Sequence, residues 1–186
     1  MTNKSEEFLR IATINILNTK DFFFERLETL LVEAKNKQVD ILLLQEILTE
    51  FLEEAQELCS KYGYDNIVST QTDDFPERFN KPNNNMVVSR FPYISRDIIE
   101  FENIEQAIAA PVMEIKYNNH HVFIISSHFY WGANRGHIRL QQARIISDYG
   151  RAITAENPKA TVIFGGDLNA LPEKKPQFNT FKEYIR

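Results

Sequence analysis

Asp167 and Asn169 stand two residues apart at the end of Thr161-Val162-Ile163-Phe164-Gly165-Gly166-Asp167-Leu168-Asn169. The apolar, β-branched run reads as a buried strand, and the two glycines let backbone approach something closely. A strand period of two places Asp167 and Asn169 on one side. A carboxylate beside an amide at a strand end suits a metal-assisted phosphoester site. The carboxylate positions a water or a proton, and the amide donates to a phosphate oxygen.

Further candidates stand at other strand ends. Glu46 closes Leu42-Leu43-Leu44-Gln45-Glu46. A carboxylate there is a hard-oxygen ligand for magnesium, which takes only one or two protein carboxylates. It reads equally as a solvated acid at the start of the following helix. His128 follows Ile124-Ile125-Ser126-Ser127. It could donate to phosphate oxygens or, protonated, offset charge on a pentacovalent phosphorus; alone, it reads first as a satisfied structural residue. Asn15, in Thr13-Ile14-Asn15-Ile16, needs a partner for its amide inside an apolar strand. Arg135, His137 and Arg139 place cationic groups near the same end. Arg135 is the candidate for phosphate, Arg139 for a structural ion pair, and His137 for a solvated helix start.

These residues need strands that end together. Arg10–Leu17 alternates as a strand, Asp21–Lys37 has helical spacing, and Asp40–Glu46 carries a continuous apolar run. That order predicts a βαβ unit with a right-handed crossover. Thr49–Tyr62 reads as a second helix with Thr49 as its N-cap. Tyr64–Thr70 reads as a strand, and Gln71–Asn84, with Pro76 and Pro82, as a loop. Met86–Ser89, Ile94–Phe101, Pro111–Tyr117 and Val122–His128 read as antiparallel strands. Gly136–Thr154 reads as a third helix, Thr161–Phe164 as the last clear strand, and Phe178–Arg186 as a helix start. Helices around a mostly β middle imply two sheets packed face to face with helices outside.

Composition sets the frame. The chain has 186 residues, 43% hydrophobic and 25% charged, values of a globular domain with a real core. One domain over residues 1–186 is expected. A net charge of −5 argues against a passive polyanion binder but permits an enzyme that meets phosphate through a divalent cation. No apolar run approaches membrane-spanning length, and Met1–Glu7 lacks the apolar stretch of a signal peptide. The single cysteine, Cys59, reads as a packed thiol and favours a cytoplasmic setting.

Taken in order, the motifs resemble the endonuclease/exonuclease/phosphatase superfamily, the DNase I-like fold. The resemblance covers nearly the whole chain. It rests on Asn15, Leu44-Gln45-Glu46, Asn85-Met86-Val87-Val88-Ser89-Arg90-Phe91-Pro92, Ser126-Ser127-His128-Phe129, Arg135-Gly136 with Arg139-Leu140-Gln141-Gln142-Ala143, and Gly165-Gly166-Asp167-Leu168-Asn169. It implies a four-layer α/β/β/α sandwich, incomplete at the C-terminus. It also implies magnesium-dependent hydrolysis of a phosphoester, with manganese as the alternative ion. Glu46 would bind the metal with Asn15 beside it, Asp167 would orient the attacking water or handle the leaving-group proton, and His128 and Asn169 would hold phosphate oxygens. The substrate class extends to nucleic acid, and a nuclease-like phosphodiesterase is the leading expectation. An inositol or lipid phosphomonoesterase and a non-catalytic interaction domain are the alternatives. The family's later Asp and terminal Ser-Asp-His motif has no counterpart after Asn169. A truncated domain is therefore expected, either an N-terminal piece of a longer protein or a short homologue with a broken site, with crippled catalysis and self-association through an uncovered sheet edge.

Overall fold

The computed structural model describes residues 8–71, 82–102, 104, 107–132 and 134–170. Its elements, in order, are β1 (Ile11–Asn15), α1 (Phe23–Asn36), β2 (Ile41–Leu48), a 3-10 turn (Thr49–Phe51), α2 (Leu52–Lys61), β3 (Asn66–Ser69), β4 (Asn83–Ser89), β5 (Tyr93–Ile99), β6 (Ala110–Tyr117), β7 (His120–His128), α3 (Gly136–Glu156) and β8 (Thr161–Asp167). The strands form two four-stranded sheets, ordered β1-β2-β4-β3 and β5-β6-β7-β8. Each sheet is antiparallel except for one pair: β1 with β2 in the first, β7 with β8 in the second.

Side-chain alternation in β2 divides the layers. Leu42 and Leu44 face outward and pack with Leu27 and Leu31 of α1 and Ala55 and Cys59 of α2. Ile41 and Leu43 face inward and meet Met113 and Ile115 of β6 and Ile124 of β7. Beyond the second sheet, Val112 and Ile125 pack against Ile146 of α3. The result is the four-layer α/β/β/α sandwich of DNase I-like proteins. Burying each such Leu or Ile contributes about 1.5–3 kcal/mol before conformational entropy is set against it. Among the described residues no helix is long and apolar enough to cross a membrane.

Some expectations fail locally. Thr49 is not a helix N-cap: it opens the 3-10 turn, and α2 begins at Leu52. Its hydroxyl instead accepts from Asn84 Nδ2 at 3.0 Å. The asparagine run assigned to a loop begins β4, where Asn84 and the Asn85 Nδ2 group find partners. Asn84 Oδ1 accepts from Thr70 Oγ1 at 2.9 Å, and Asn85 Nδ2 donates to the Ala109 carbonyl at 2.9 Å. The rest of the Gln71–Asn84 loop, up to Lys81, and the Phe178–Arg186 helix lie outside the described residues apart from Gln71.

The last strand runs past Phe164 through both glycines to Asp167. Gly166 needs glycine, and Gly165 has little room for more. A Cβ on Gly165 would sit 3.0 Å from Leu43 Cδ1 across the sheets, and one on Gly166, at φ 145°, would sit 1.7 Å from the Ser127 carbonyl oxygen. Among the described residues β1 and β8 are each one edge of their sheet, opposite β3 and β5, with Ile14 and Phe164 exposed.

Candidate active site

Two βαβ units face each other across the sandwich, β1–α1–β2 and β7–α3–β8. Parallel pairing brings strand C-termini to a common end. Asn15, His128 and Asp167 are each the last residue of their strand. His128 is paired in register with Asp167, while Asn15 is paired with Gln45. On alternation alone, Glu46 would therefore point away from Asn15, into the helical layer.

A β-bulge redirects it. The β2–β4 register slips between Leu44 and Ile47, and Glu46 has a left-handed φ of 65°. Leu44 and Ile47 both face the helices, so the two residues between them both turn inward. Gln45 reaches between the sheets, where its Nε2 donates to Ser126 Oγ at 3.1 Å and Thr13 Oγ1 at 3.2 Å. Glu46 reaches the strand ends. Left-handed backbone at a glutamate costs about 1 kcal/mol or more and persists where surrounding structure enforces it. Bulges commonly re-aim a side chain in this way.

Asn15 is the hub. Its Nδ2 donates to Glu46 Oε1 at 2.8 Å and to Asp167 Oδ2 at 3.0 Å. Its Oδ1 accepts from the Leu17 backbone N–H at 2.9 Å, which fixes the amide orientation. Asn15 thus offers its amide donors to the two carboxylates, while its oxygen is engaged by the Leu17 backbone. The second Glu46 oxygen, Oε2, accepts from Asn18 N–H at 2.8 Å. Arg26 holds this loop from α1, donating to the carbonyls of Ile16, Leu17, Thr19 and Asp21. His128 Nε2 lies 3.8 Å from both Glu46 Oε1 and Asp167 Oδ2, and its buried Nδ1 has no protein partner among the described residues. His128 therefore meets the cluster through Nε2.

Asn169 departs from the strand-period expectation. The strand ends at Asp167, and Asn169 adopts a left-handed φ of 47°. Its backbone N–H donates to Asp167 Oδ1 at 3.0 Å, and its Nδ2 donates to the Phe129 carbonyl at 2.9 Å. It braces Asp167 against the exit of β7, and its second amide hydrogen has no partner among the described residues. Arg139 is structural, as its alternative reading had it, but through carbonyls rather than an ion pair: its Nη1 donates to the carbonyls of Tyr130 at 3.2 Å and Gly132 at 2.7 Å. Arg135 and His137 are exposed at the start of α3. Sequence reasoning missed Gln45, Arg26 and the fully buried Gln142, whose Oε1 accepts from Tyr130 N–H at 2.8 Å. A glutamine inside an apolar run is the signal that could have found Gln45, since burial demands partners for its amide.

Among the described residues no three His, Cys, Asp or Glu side chains form a cage that would hold a metal ion. The donor set nevertheless suits a hard cation that keeps most of its own waters. Glu46 Oε1 and Asp167 Oδ2 are carboxylate oxygens converging on one amide, and each has a lone pair to spare. Their side chains are 15% and 33% exposed, so both can meet a solvated ion.

The chain belongs to the Endonuclease/Exonuclease/phosphatase family, whose model matches residues 12–179. It is 28% identical over 141 residues to a 5'-tyrosyl-DNA phosphodiesterase of Caenorhabditis elegans, a match covering 76% of this chain and 37% of that protein. The crystal structure of TDP2 from C. elegans is similar at a TM-score of 0.72 and 25% identity, over 88% of this chain and 48% of that one. A D. rerio TDP2 complexed with single strand DNA product shares the fold at a TM-score of 0.69 and 16% identity, over 87% of this chain and 61% of that one. The chain thus spans less than half the length of both C. elegans matches.

Proposed function

We propose that this site belongs to a magnesium-dependent phosphodiesterase acting on nucleic-acid ends. The observation that carries the reading is the Asn15 amide donating to both Glu46 and Asp167 while His128 Nε2 faces both. Two carboxylates at the mouth of a chain of net charge −5 would repel a phosphodiester without a counter-charge. A divalent cation on Glu46, magnesium or manganese, resolves that conflict. When bound, it polarises the phosphoryl group and stabilises the leaving oxygen.

The chain's own groups do the rest. Asn15 aims Asp167, so that Asp167 accepts a proton from the attacking water. His128 Nε2 and the spare Asn169 amide hydrogen donate to phosphate oxygens. Arg135, exposed and mobile on its stem, reaches an outer phosphate oxygen. The C. elegans relative is named for a tyrosyl ester of DNA, which supports a nucleotide phosphodiester with a phenolic leaving group.

Thymidine 5'-(p-nitrophenyl) phosphate tests the reading. Magnesium-dependent release of nitrophenol is expected, with a fall of about a hundredfold or more in Glu46→Ala. A rate that survives either chelation or Glu46→Ala would overturn the metal assignment. Complete absence of turnover would favour the non-catalytic alternative.

A further inference from the structure

The loop leaving β7 carries an aromatic pair that the proposed hydrolysis does not use. Trp131 is the chain's single tryptophan and is 73% exposed. It is not on a frayed segment. Tyr130 N–H is bonded to buried Gln142, and Arg139 grips the carbonyls of Tyr130 and Gly132 on either side of the indole. Arg135 N–H closes the turn onto the Gly132 carbonyl at 3.1 Å. The indole lies nearly parallel to the Tyr130 ring, at 9° with centroids 6.3 Å apart. A helix has thus been made to hold a large apolar plane out in water.

The backbone that carries this plane leaves the proposed site directly. Trp131 follows His128 by three residues, at most about 10 Å of fully extended chain. The intervening Phe129 is pinned there, its N–H donating to the Asp167 carbonyl at 2.8 Å and its own carbonyl accepting from Asn169 Nδ2. An exposed aromatic plane beside a phosphate site suits a nucleobase, since every base has a π-face and stacking tolerates any sequence. The charge balance points the same way. With a net charge of −5, affinity for a nucleic acid must come from contacts other than a long basic track.

We propose that Tyr130 and Trp131 form a stacking platform for a base adjoining the scissile phosphate, so that the preferred substrate is an unpaired nucleic-acid end. The inference rests on the phosphodiesterase reading and names the substrate class of that same site. A duplex base is already stacked on its neighbours, so only an unpaired or splayed base can use the platform.

The single tryptophan makes the test direct. The chain is titrated with a short oligothymidylate and with an equally long abasic deoxyribose-phosphate oligomer, following indole fluorescence. Saturable quenching by the first and none by the second is expected. With a fluorescein-labelled oligothymidylate, Trp131→Ala should weaken binding about tenfold and Trp131→Phe should recover most of it. Equal quenching by both oligomers, binding without quenching, no binding of either, or unchanged affinity in Trp131→Ala would each overturn the platform. Quenching without hydrolysis in the unsubstituted chain would count against the phosphodiesterase reading alone. Hydrolysis indifferent to the base would count against the platform alone.

Discussion

The β1–α1–β2 and β7–α3–β8 units share a topology but support their second strands differently. In the first unit, β2 runs between β1 and β4, and all its residues are buried except half-buried Glu46. In the second, β8 is an edge strand without a fully buried residue. The helices follow suit. The fourteen residues of α1 bury Phe23, Leu27, Leu31 and Ala34, whereas the longer α3 buries only Gln142 and Ile146. A strand held on both sides can maintain a strained glutamate at a bulge. A strand held on one side delivers its carboxylate without a bulge, through glycines that let it lie close to its neighbours. Two carboxylates of one site are thus presented by opposite means.

Substitution at the glycines should break this arrangement most severely. Gly166→Ala combines a disfavoured φ with a clash against the β7 backbone. It is expected to cost about 3 kcal/mol or more in denaturant unfolding. Gly165→Ala meets only the end of Leu43 and should cost about 1 kcal/mol. Equal losses would show that β8 is not held as described. Next in size, Gln45→Ala removes donors to Ser126 and Thr13 between the sheets. About 1–3 kcal/mol should be lost, since Ser126 keeps its buried hydroxyl. A value near zero would mean that the sheets are joined by their apolar contacts alone.

The smallest effect concerns access. Burial disfavours the Cys59 thiolate and pushes its pKa up to about 12, so at pH 8 the thiol stays protonated and unreactive. A cysteine introduced at Phe164, 47% exposed on β8, should be alkylated by iodoacetamide while Cys59 is not. Mass spectrometry of the labelled Phe164→Cys variant decides it. Modification of both residues at similar rates would erase the contrast between the sealed and open units.

Much of this was legible in the sequence for physical reasons. Leu42 and Leu44 on one face and Ile41 and Leu43 on the other require a strand covered on both sides, and β2 is one. The helical spacing of Phe23, Leu27, Leu31 and Ala34 marked the buried face of α1. Asn15, His128 and Asp167 meet because parallel strands end on one side of their sheet, whereas Glu46, read as a strand end, lies within β2 and joins them through the bulge. What was not legible is how they meet. Nothing in Gln45-Glu46 announces a bulge: neither is a glycine or an asparagine, and only the packed neighbours on both sides enforce the left-handed backbone. The asparagines of β4 carry turn chemistry that tertiary partners override. Asn169 is a further case, since counting by two fails once the strand has ended.

The bulge also changes how the gene tolerates length variation. Because Gln45 and Glu46 share a face, every β2 residue beyond them is offset by one position from the strand's starting alternation. Losing a single codon there would do more than remove one acid. Ordinary alternation would resume, with one residue opposite Asn85 and Ile47 still opposite Asn84 and facing the helices. The bulge that aims Glu46 is thus a one-residue insertion that the ladder could lose and keep its register, so that its loss would fall on the site rather than on the sheet.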